Sequence, residues 1–404
     1  MHSKLTLDIV RNAIASSTAA FRLRQILQPA GGEGSPVFPP SYDGGNYATE
    51  DRRIPGRETP VPCVLLNSVQ AEANHVELAL LDAWEDGEIP LPVLIVDFAG
   101  EGLQRDLRVT SLETPHRVAD ALLRDSLLDG TLFRESAQGR KLDQVDMRNA
   151  TALFELCPTA LVFGLWDSTG PRGGLGAKFA RAYVSEVVGV DAVPGKKTAS
   201  RIDPAQIRLG AGPVYQRAGG GWTLDESEAV KEKGRPLKAG KDGKPSEVNH
   251  GNVTPTITAG GFTIAYAQRT STLSLPALRR LRFPVAGERS LERDRAAQTA
   301  LAALALCGAT LAQCAGSDLR SRCHLVPVEA AGWELLDAPG TEARIYGLDR
   351  AGAIELYRDA VAAARALDLP WLEKPLKLAP STHLAALVRK SQELVATAVE
   401  PGED

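Results

Sequence analysis

The sequence predicts an α+β fold in which helices pack on one face of a sheet. Strand-like and helical segments mix along the 404 residues without the regular strand–helix alternation of a doubly wound parallel sheet. No segment recurs at a fixed period, which excludes solenoid and propeller architectures. The chain is 44% apolar and 24% charged, so it can bury a sizeable core and is neither intrinsically disordered nor collagen-like.

The first hundred residues predict helices and strands around one irregular insertion. Residues 8–27 begin as a helix and end as a strand. Residues 29–62 hold seven prolines and six glycines, a composition typical of a surface loop. A strand over 63–69 leads into an amphipathic helix over 70–84, and a β-branched strand follows over 91–98.

The middle of the chain is the most patterned part. Thr114, in an N-cap position before Pro115, predicts a helix that runs to about residue 128. Four segments then follow in order: a helix over 150–156, a strand over 160–166, a glycine-rich loop over 167–176 and a strand over 179–190.

The rest of the chain predicts one more insertion and a helical end. Residues 219–251 are rich in Gly, Pro and Lys, which is typical of a flexible, solvated insertion. The later segments are a strand or strand pair over 256–269, a basic helix over 276–283, a long Ala/Leu helix over 290–314, a strand-like stretch over 325–336 and a mostly helical tail over 352–399. We therefore predict one domain over 1–404, with insertions at 29–62 and 191–255 and a C-terminal helical segment at 340–404.

The glycine-rich loop is the first candidate for chemistry. Glycines let a ligand approach the backbone closely, and successive backbone N–H groups can hold a phosphate. The loop does not fit the nucleotide-binding pattern G-x-x-x-x-G-K-[ST], because Phe179 stands where that pattern has Ser or Thr. Arg172 and Lys178 flank the glycines, which favours contact with a nucleic-acid backbone; a plain turn between strands is the alternative.

Charge is distributed unevenly along the chain. The net charge of −4 is the sum of about +9 over residues 171–295 and −13 elsewhere. Within the basic part, Lys196, Lys197 and Arg201 lie in a stretch rich in Gly, Ser and Thr. Such an asymmetry favours a polyanionic partner, or assembly of the basic face of one copy on the acidic face of the next.

The sequence shows no established metal or catalytic motif. Cys307, Cys314, Cys323 and His324 lack the Cys-x2-Cys spacing of a zinc site, so we expect no metal and no other cofactor. The histidines are scattered and match no hydrolase signature. Asp167 ends an apolar strand without a catalytic partner close in sequence, and a turn-capping role is the simpler interpretation.

No segment predicts export or membrane insertion. Residues 1–20 lack the basic and apolar regions of a secretory signal, and the apolar run 296–315 contains polar residues that indicate a buried helix of a soluble protein. Five cysteines, an odd number, are typical of a reducing compartment. We therefore expect a cytoplasmic protein without a membrane partner.

One long run and four shorter segments form a recognisable set. The run from Leu161 to Val188 contains Trp-Asp-Ser-Thr-Gly-Pro-Arg-Gly-Gly-Leu-Gly-Ala-Lys-Phe, and the shorter segments lie at 66–74, 110–117, 198–204 and 261–281. Together they resemble the backbone subunit of the type I-G (earlier I-U) CRISPR surveillance complex, a member of the RAMP superfamily. The resemblance spans residues 60–310.

The resemblance implies an RRM-like (ferredoxin-like) antiparallel sheet, called the palm, with inserted thumb and finger elements and extra C-terminal helices. It implies a non-catalytic, RNA-binding subunit that polymerises along the CRISPR guide RNA and supports pairing between guide and target DNA. The implied partners are guide RNA, the paired target DNA strand, other copies of the chain and the other Cascade subunits. Proteins of this kind hold RNA by its backbone and shape, while base pairing reads the sequence.

The resemblance also implies which residues contact RNA. They are Arg172, Gly173, Gly174 and Lys178 in the glycine-rich loop, Ser200 and Arg201 in a Ser-Arg segment, and Gln70 and Asn74 at a helix start. Charge alone adds Lys196, Lys197 and Arg269.

Two alternatives remain open. Related subunits of type III complexes cleave target RNA with a loop aspartate, so the first alternative is a metal-dependent RNA endonuclease that uses Asp167. The second is a structural protein that self-assembles through basic and acidic surfaces without nucleic acid.

Overall fold

The computed structural model describes residues 2–168, 177–337, 340 and 342–397, and it confirms the predicted mixed α+β class. Within these residues the largest sheet has ten strands. Its six main strands are β1 (Ala20–Pro29), β2 (Val61–Asn67), β3 (Tyr183–Val190), β4 (Tyr266–Ser274), β5 (Cys323–Pro327) and β6 (Trp333–Leu336). The short strands Ser3–Lys4, Thr49–Arg52, Ser317–Arg320 and Arg344–Gly347 complete it.

The helices of the described chain are α1 (Leu7–Ala15), α2 (Val69–Glu85), α3 (Ala121–Arg124), α4 (Ala137–Arg140), α5 (Thr151–Leu156), α6 (Thr159–Phe163), α7 (Leu275–Arg279), α8 (Leu291–Ala315), α9 (Arg350–Arg365) and α10 (Thr382–Thr397). Several begin where the sequence provides an N-cap. The Ser68 hydroxyl accepts a hydrogen bond from the Ala71 amide at the start of α2, and Ser290 caps α8 in the same way through Arg293.

The centre of the sheet has the connectivity of a split β-α-β unit. β4 lies between β1 and β3 and is antiparallel to both, so β1 and β3 run in the same direction. β5 pairs antiparallel with one end of β1, and α2 and α8 belong to the two crossovers. The order β5-β1-β4-β3 with helices in those connections is that of the β-α-β-β-α-β, or ferredoxin-like, motif. β2 then extends the sheet beyond β3.

Helix α8 is the core helix of this arrangement. It is long and apolar enough to cross a membrane by length and composition alone, but 83% of its most apolar window is buried inside the protein. It packs against α2, where a side chain at Gly308 would meet Val76 and Leu80. The close approach of the two helices explains why a glycine stands in the middle of a long helix.

A second sheet is formed by the five short strands Leu94–Asp97, Arg108–Thr110, Ser126–Leu128, Thr131–Leu132 and Leu376–Pro380. Leu376–Pro380 runs parallel to Leu94–Asp97 and antiparallel to Ser126–Leu128. The predicted helical tail over 352–399 is therefore interrupted by a strand, because Pro375 and Pro380 flank a segment that pairs with distant residues.

The chain forms two compact units. The first unit comprises Met1–Asp97, Leu107–Val193 and Phe262–Ser381, and the second comprises Phe98–Asp106, Pro194–Gly261 and Thr382–Asp404. The second unit contains most of the paired strands Val193–Arg201 and Val253–Thr263 and several short pairs: Tyr215–Gln216 with Trp222–Thr223, and Lys231–Glu232 with Arg235–Pro236. Val214, Ala239 and Val248 form a small apolar cluster in it.

Two predictions of local structure are wrong. The apolar run 160–166 forms α6 followed by a two-residue strand, because Gly164 takes a positive φ of 92° and ends the helix. The predicted helix from Thr114 is replaced by a 3-10 turn over Arg117–Ala119 and by α3, which Asp120 caps. In both cases tertiary contacts decide the local structure where the sequence pattern is short.

Two insertions also hold more structure than their composition predicts. Residues 29–62 contain the strands Ser41–Tyr42, Asn46–Tyr47 and Thr49–Arg52, and the last of these joins the large sheet beside β2. Residues 219–251 contain the paired strands Lys231–Glu232 and Arg235–Pro236, and the strand Trp222–Thr223, which pairs with Tyr215–Gln216, rather than an unbroken loop.

Candidate nucleic-acid-binding surfaces

The glycine-rich loop is described only at its two ends. Residues 169–176 lie outside the described residues, and with them lie the predicted RNA contacts Arg172, Gly173 and Gly174. The flanking strands Leu165–Trp166 and Lys178–Phe179 pair antiparallel and form what we call the ribbon. The two described ends of the loop are therefore held together by one two-stranded ribbon.

The outer face of the ribbon presents an aromatic ring and a cation to solvent. Trp166 is 59% exposed, and the Lys178 ammonium lies 5.6 Å from its ring centroid, within cation–π distance. The inner positions Leu165 and Phe179 are buried and fix the ribbon to the core. An exposed tryptophan beside a lysine offers a base-stacking surface and a phosphate-binding charge at the same place.

A buried ion pair holds the base of the ribbon. The Arg117 guanidinium donates to both Glu77 carboxylate oxygens at 2.7 and 2.6 Å, and to the Gly164 carbonyl at 2.9 Å. Both side chains are almost completely buried. Gly164 thus joins the ribbon to α2 through Arg117, an anchor that no sequence motif indicates.

Asp167, the residue of the ribonuclease alternative, is occupied by a structural contact. One carboxylate oxygen accepts from Arg134 at 2.7 Å, and Arg134 also donates to Asp143 at 3.0 Å. The residue is 5% exposed, and its other oxygen, Oδ1, has no hydrogen-bond partner among the residues that the structure describes. Among the described residues, no three His, Cys, Asp or Glu side chains are grouped to hold a metal ion. The geometry assigns Asp167 to an ion pair rather than to a free catalytic base.

Arg269 requires a correction. It was expected to bind phosphate, but it lies on the inward face of β4 and is only 6% exposed. Its guanidinium donates to Glu72 at 3.2 Å, Gln25 at 3.1 Å and Ser317 at 3.0 Å. Every partner belongs to the interior, so Arg269 stabilises the core and does not face a nucleic acid. Charge counted along the sequence cannot distinguish these two roles.

The Glu72 carboxylate is the centre of this buried polar network. It also accepts from the Asn67 amide at 2.6 Å and from the Ser185 hydroxyl at 2.8 Å. Nearby, the His75 ring nitrogen Nδ1 lies 3.3 Å from the Asn67 amide. Burial lowers the pKa of His75, and Arg269 and Arg320 act in the same direction, while Glu72 opposes them. Burial therefore favours the neutral form of His75 beside this network.

The predicted contacts at the start of α2 lie on the surface. Gln70 and Asn74 are both exposed and stand one helical turn apart, so their amides share a face of α2. That position is open to a ligand, although neither side chain carries charge.

The predicted basic residues of the second unit have different surroundings. Lys196 and Ser200 are exposed, whereas Lys197 is half-buried beside Gly260. The Arg201 guanidinium donates to the carbonyls of Gly251 at 3.2 Å and His250 at 3.1 Å. Arg201 thus stabilises a loop of the second unit, and Lys196 is the more accessible cation.

The five cysteines carry no disulfide. Cys307 is buried in α8, and burial raises the pKa of its thiol to about 12, which makes it a poor nucleophile. Cys323 is buried in β5, and only Cys314 is exposed.

The fold and the ribbon define an α+β protein with a split β-α-β sheet and an exposed aromatic–cationic surface. Residues 21–194 match the sequence profile of a family described as CRISPR-associated protein GSU0053, a range that contains β2, α2, β3, the ribbon and all of β1 except Ala20. The match supports a Cas protein with a role in CRISPR defence, and at that level the resemblance read from the sequence is confirmed. No curated protein matches the chain.

Sequence reasoning did not single out Trp166 as a candidate binding residue. The signal was present, because the tryptophan is the last apolar residue before the glycine-rich loop and Lys178 is the first cation after it. Two residues that enter and leave one loop face each other when its ends pair as strands.

Proposed function

We propose that this chain is a non-catalytic RNA-binding subunit that forms the backbone of a type I-G CRISPR surveillance complex. Copies bind side by side along the guide RNA and support its pairing with the target DNA strand. The family match supports the CRISPR role, and the split β-α-β sheet has the connectivity expected of an RRM-like palm.

The observation that carries the proposal is the outer face of the ribbon. Trp166 and Lys178 combine a stacking surface with a positive charge, and they flank residues 167–177, which hold four glycines and an arginine. Stacking and phosphate contacts are independent of base identity. A backbone subunit needs this kind of contact, because each copy meets a different stretch of guide sequence.

Charge supports the same proposal. The region 171–295 carries the positive excess of the chain, and it includes Lys178 of the ribbon and exposed Lys196 of the second unit. The partners we propose are guide RNA, the target DNA strand, further copies of the chain and the other Cascade subunits. We place the protein in the cytoplasm, where its five cysteines stay reduced.

The proposal assigns no catalytic step to this chain. Asp167 is held by Arg134, and its carboxylate is mostly buried. Cleavage of the target therefore belongs to another component of the complex.

The test is co-expression of the protein with a CRISPR array, followed by purification and measurement of RNA content and affinity. Wild type is expected to carry RNA of uniform length. Trp166→Ala removes the stacking surface, and Lys178→Ala removes the positive charge. Trp166→Ala is expected to weaken RNA binding about tenfold, because that is the affinity typically lost with one base–aromatic stack. Tyr42→Ala, which removes another exposed ring, is the matched control.

Two results would contradict the proposal. One is a wild-type protein that stays free of RNA in the presence of the array. The other is an RNA affinity of Trp166→Ala and Lys178→Ala equal to that of the Tyr42→Ala control.

A further inference from the structure

Trp166 lies between two residues of the ribbon that arginines hold in place. On its N-terminal side, the Gly164 carbonyl accepts a hydrogen bond from buried Arg117 at 2.9 Å. On its C-terminal side, the Asp167 carboxylate accepts from Arg134 at 2.7 Å. The two anchored positions are three residues apart, so the backbone that carries the exposed ring is fixed on both sides.

Arg134 extends from a tightly packed segment, residues 133–144, which we call the platform. Phe133 of the platform is completely buried. A Cβ atom at Gly139 would lie 1.8 Å from the Phe133 carbonyl oxygen, so the platform has no room for a larger residue there. Within the platform, Arg134 also donates to Asp143 at 3.0 Å. The guanidinium is therefore held by the platform and in turn holds the ribbon.

The contact between Arg134 and Asp167 is poorly suited to stabilising the fold. It joins one guanidinium nitrogen, Nη1, to one carboxylate oxygen, Oδ2. Arg134 Nε and Asp167 Oδ1 are buried, and neither has a hydrogen-bond partner in the part of the chain that the structure describes. Unsatisfied polar atoms offset much of the attraction within a buried ion pair. The effect of the pair on the ribbon explains its presence better than a contribution to stability does.

Orientation of the ring matters because an exposed side chain loses freedom when it binds. Trp166 is 59% exposed, so packing around the ring itself cannot fix its direction. A stacking residue on a loosely held backbone must be ordered by its ligand, and that cost is subtracted from the affinity. Anchors on both sides of Trp166 remove the backbone part of this cost before RNA binds.

We propose that Arg134 is a positioning residue that acts through Asp167 to hold Trp166 in the orientation that stacks on a base of the RNA. Arg117 fixes the other end of the same short segment through Gly164. The inference rests on the proposed function, because it explains how the ribbon presents its ring to RNA. It gives Asp167 a role in orientation rather than in cleavage.

The sign of one substitution separates positioning from charge. Asp167→Ala removes a negative charge from the ribbon, which by charge alone would strengthen binding to RNA. If Asp167 orients Trp166, the same variant is expected to weaken binding about two- to tenfold, the cost of ordering one side chain. The measurement is titration of RNA-free protein with a labelled transcript of the guide RNA. Asp143→Ala removes the other carboxylate from Arg134, leaves the ribbon contact intact and is the matched control, which is expected to bind at least as tightly as wild type.

A double-mutant cycle tests whether the effect passes through the ring. In the Trp166→Ala background, Asp167→Ala is expected to cause no further loss of RNA affinity. A further loss as large as that in the wild-type background would overturn the proposal, because Asp167 would then act independently of Trp166. An Asp167→Ala variant that binds RNA as tightly as the Asp143→Ala control would overturn it as well.

Fluorine NMR reports on the ring directly and requires no RNA. The chain contains five tryptophans, and Trp166→Phe assigns the Trp166 signal in protein labelled with 5-fluorotryptophan. Arg134→Ala and Asp167→Ala are each expected to narrow this signal and to move it towards that of free 5-fluorotryptophan, because the ring becomes more mobile. Asp143→Ala is expected to leave it unchanged. If the signal is the same in both ribbon variants as in wild type, the positioning role is wrong.

Thermal unfolding checks that the variants fold. If Arg134→Ala does not, Asp167→Ala still carries the test, because it leaves Arg134 paired with Asp143. The outcome is also separable from that of the proposed function. If Trp166→Ala binds RNA like wild type, the proposed function loses its main support, while the fluorine signal still decides whether Arg134 orients the ring. If Trp166→Ala weakens binding and Asp167→Ala does not, the proposed function stands and the positioning role is wrong.

Discussion

Buried polar residues of the large sheet connect its strands to each other and to α2 by hydrogen bonds. On β4 the inward positions alternate, and two of them, Arg269 and Ser271, are polar and buried. Their hydrogen bonds connect β4 to α2, β1 and β3 through Glu72, Gln25 and Ser185. A buried charge that is fully hydrogen-bonded is tolerated, but loss of one partner leaves the other uncompensated.

The first prediction concerns Arg269. Arg269→Ala is expected to lower the free energy of unfolding by about 3–5 kcal/mol, because Glu72 then remains as a buried charge without its cation. RNA affinity, measured where the variant is still folded, is expected to equal that of wild type. The measurements are chemical denaturation and RNA titration, with exposed Arg280→Ala as the control. Loss of RNA affinity at unchanged stability would restore Arg269 to the binding surface.

The second prediction concerns His75 and pH. Its pKa is lowered in the folded protein, so as pH falls below about 6.5 the unfolded chain binds a proton before the folded protein does. Protonation of His75 in the unfolded chain therefore lowers the free energy of unfolding increasingly as pH falls below about 6.5. At higher pH protonation of His75 does not change the free energy of unfolding. His75→Gln is expected to reduce the loss of stability between pH 7.5 and 5.5. Denaturation at both pH values tests this, with exposed His383→Gln as the control.

At the scale of elements, the sequence predicted long helices well and short apolar segments poorly. Helix α2 was predicted over 70–84 and observed over Val69–Glu85, because many turns of periodic apolar positions specify one face. The seven-residue run 160–166 has no such periodicity, and one glycine divides it into α6 and a ribbon strand. The strand Leu376–Pro380 was missed because its partners lie in Leu94–Asp97, far away in the sequence.

The third prediction concerns the contact between α2 and α8. A Cβ atom at Gly308 would lie 2.7 Å from Val76 Cγ1 and 3.0 Å from Leu80 Cδ1. Gly308→Val is expected to lower the free energy of unfolding by about 1–3 kcal/mol through overpacking, despite the low helix propensity of glycine. Thermal denaturation checks this against Ala362→Val, an exposed position on α9. Equal melting temperatures for Gly308→Val and Ala362→Val would show that α2 and α8 can move apart at little cost in free energy.

For the whole molecule, charge along the sequence indicates a candidate binding region but not which of its cations are accessible. The positive excess over 171–295 pointed to a segment that includes one ribbon strand and most of the second unit. Within it, Lys178 and Lys196 are exposed, whereas Arg201 and Arg269 are held by internal acceptors. Burial depends on the tertiary structure, so net charge along a sequence cannot separate a surface cation from an internal one.

The fourth prediction concerns the unequal cores of the two units. The second unit contains the small cluster Val214, Ala239 and Val248, whereas the first unit is built on a ten-stranded sheet and α8. Limited proteolysis of the RNA-free protein is expected to cut first within residues 194–261, because little buried apolar surface opposes local opening there. Mass spectrometry of the fragments identifies the sites. First cuts within β1, β3 or β4 would contradict the expected order of stability.

The position of β1 in the large sheet has a consequence for synthesis of the chain. β1 is among the first elements made, yet it pairs with β4, β5 and β6, and its Arg22 bonds to Glu334, 312 positions later. At about 5–20 residues per second, the ribosome needs roughly 15–60 s to produce that partner. Until then β1 lacks at least one of these neighbours, and pairing between strands so distant in sequence is slow. Nascent chains of this protein are therefore expected to need chaperone protection until their last third has emerged.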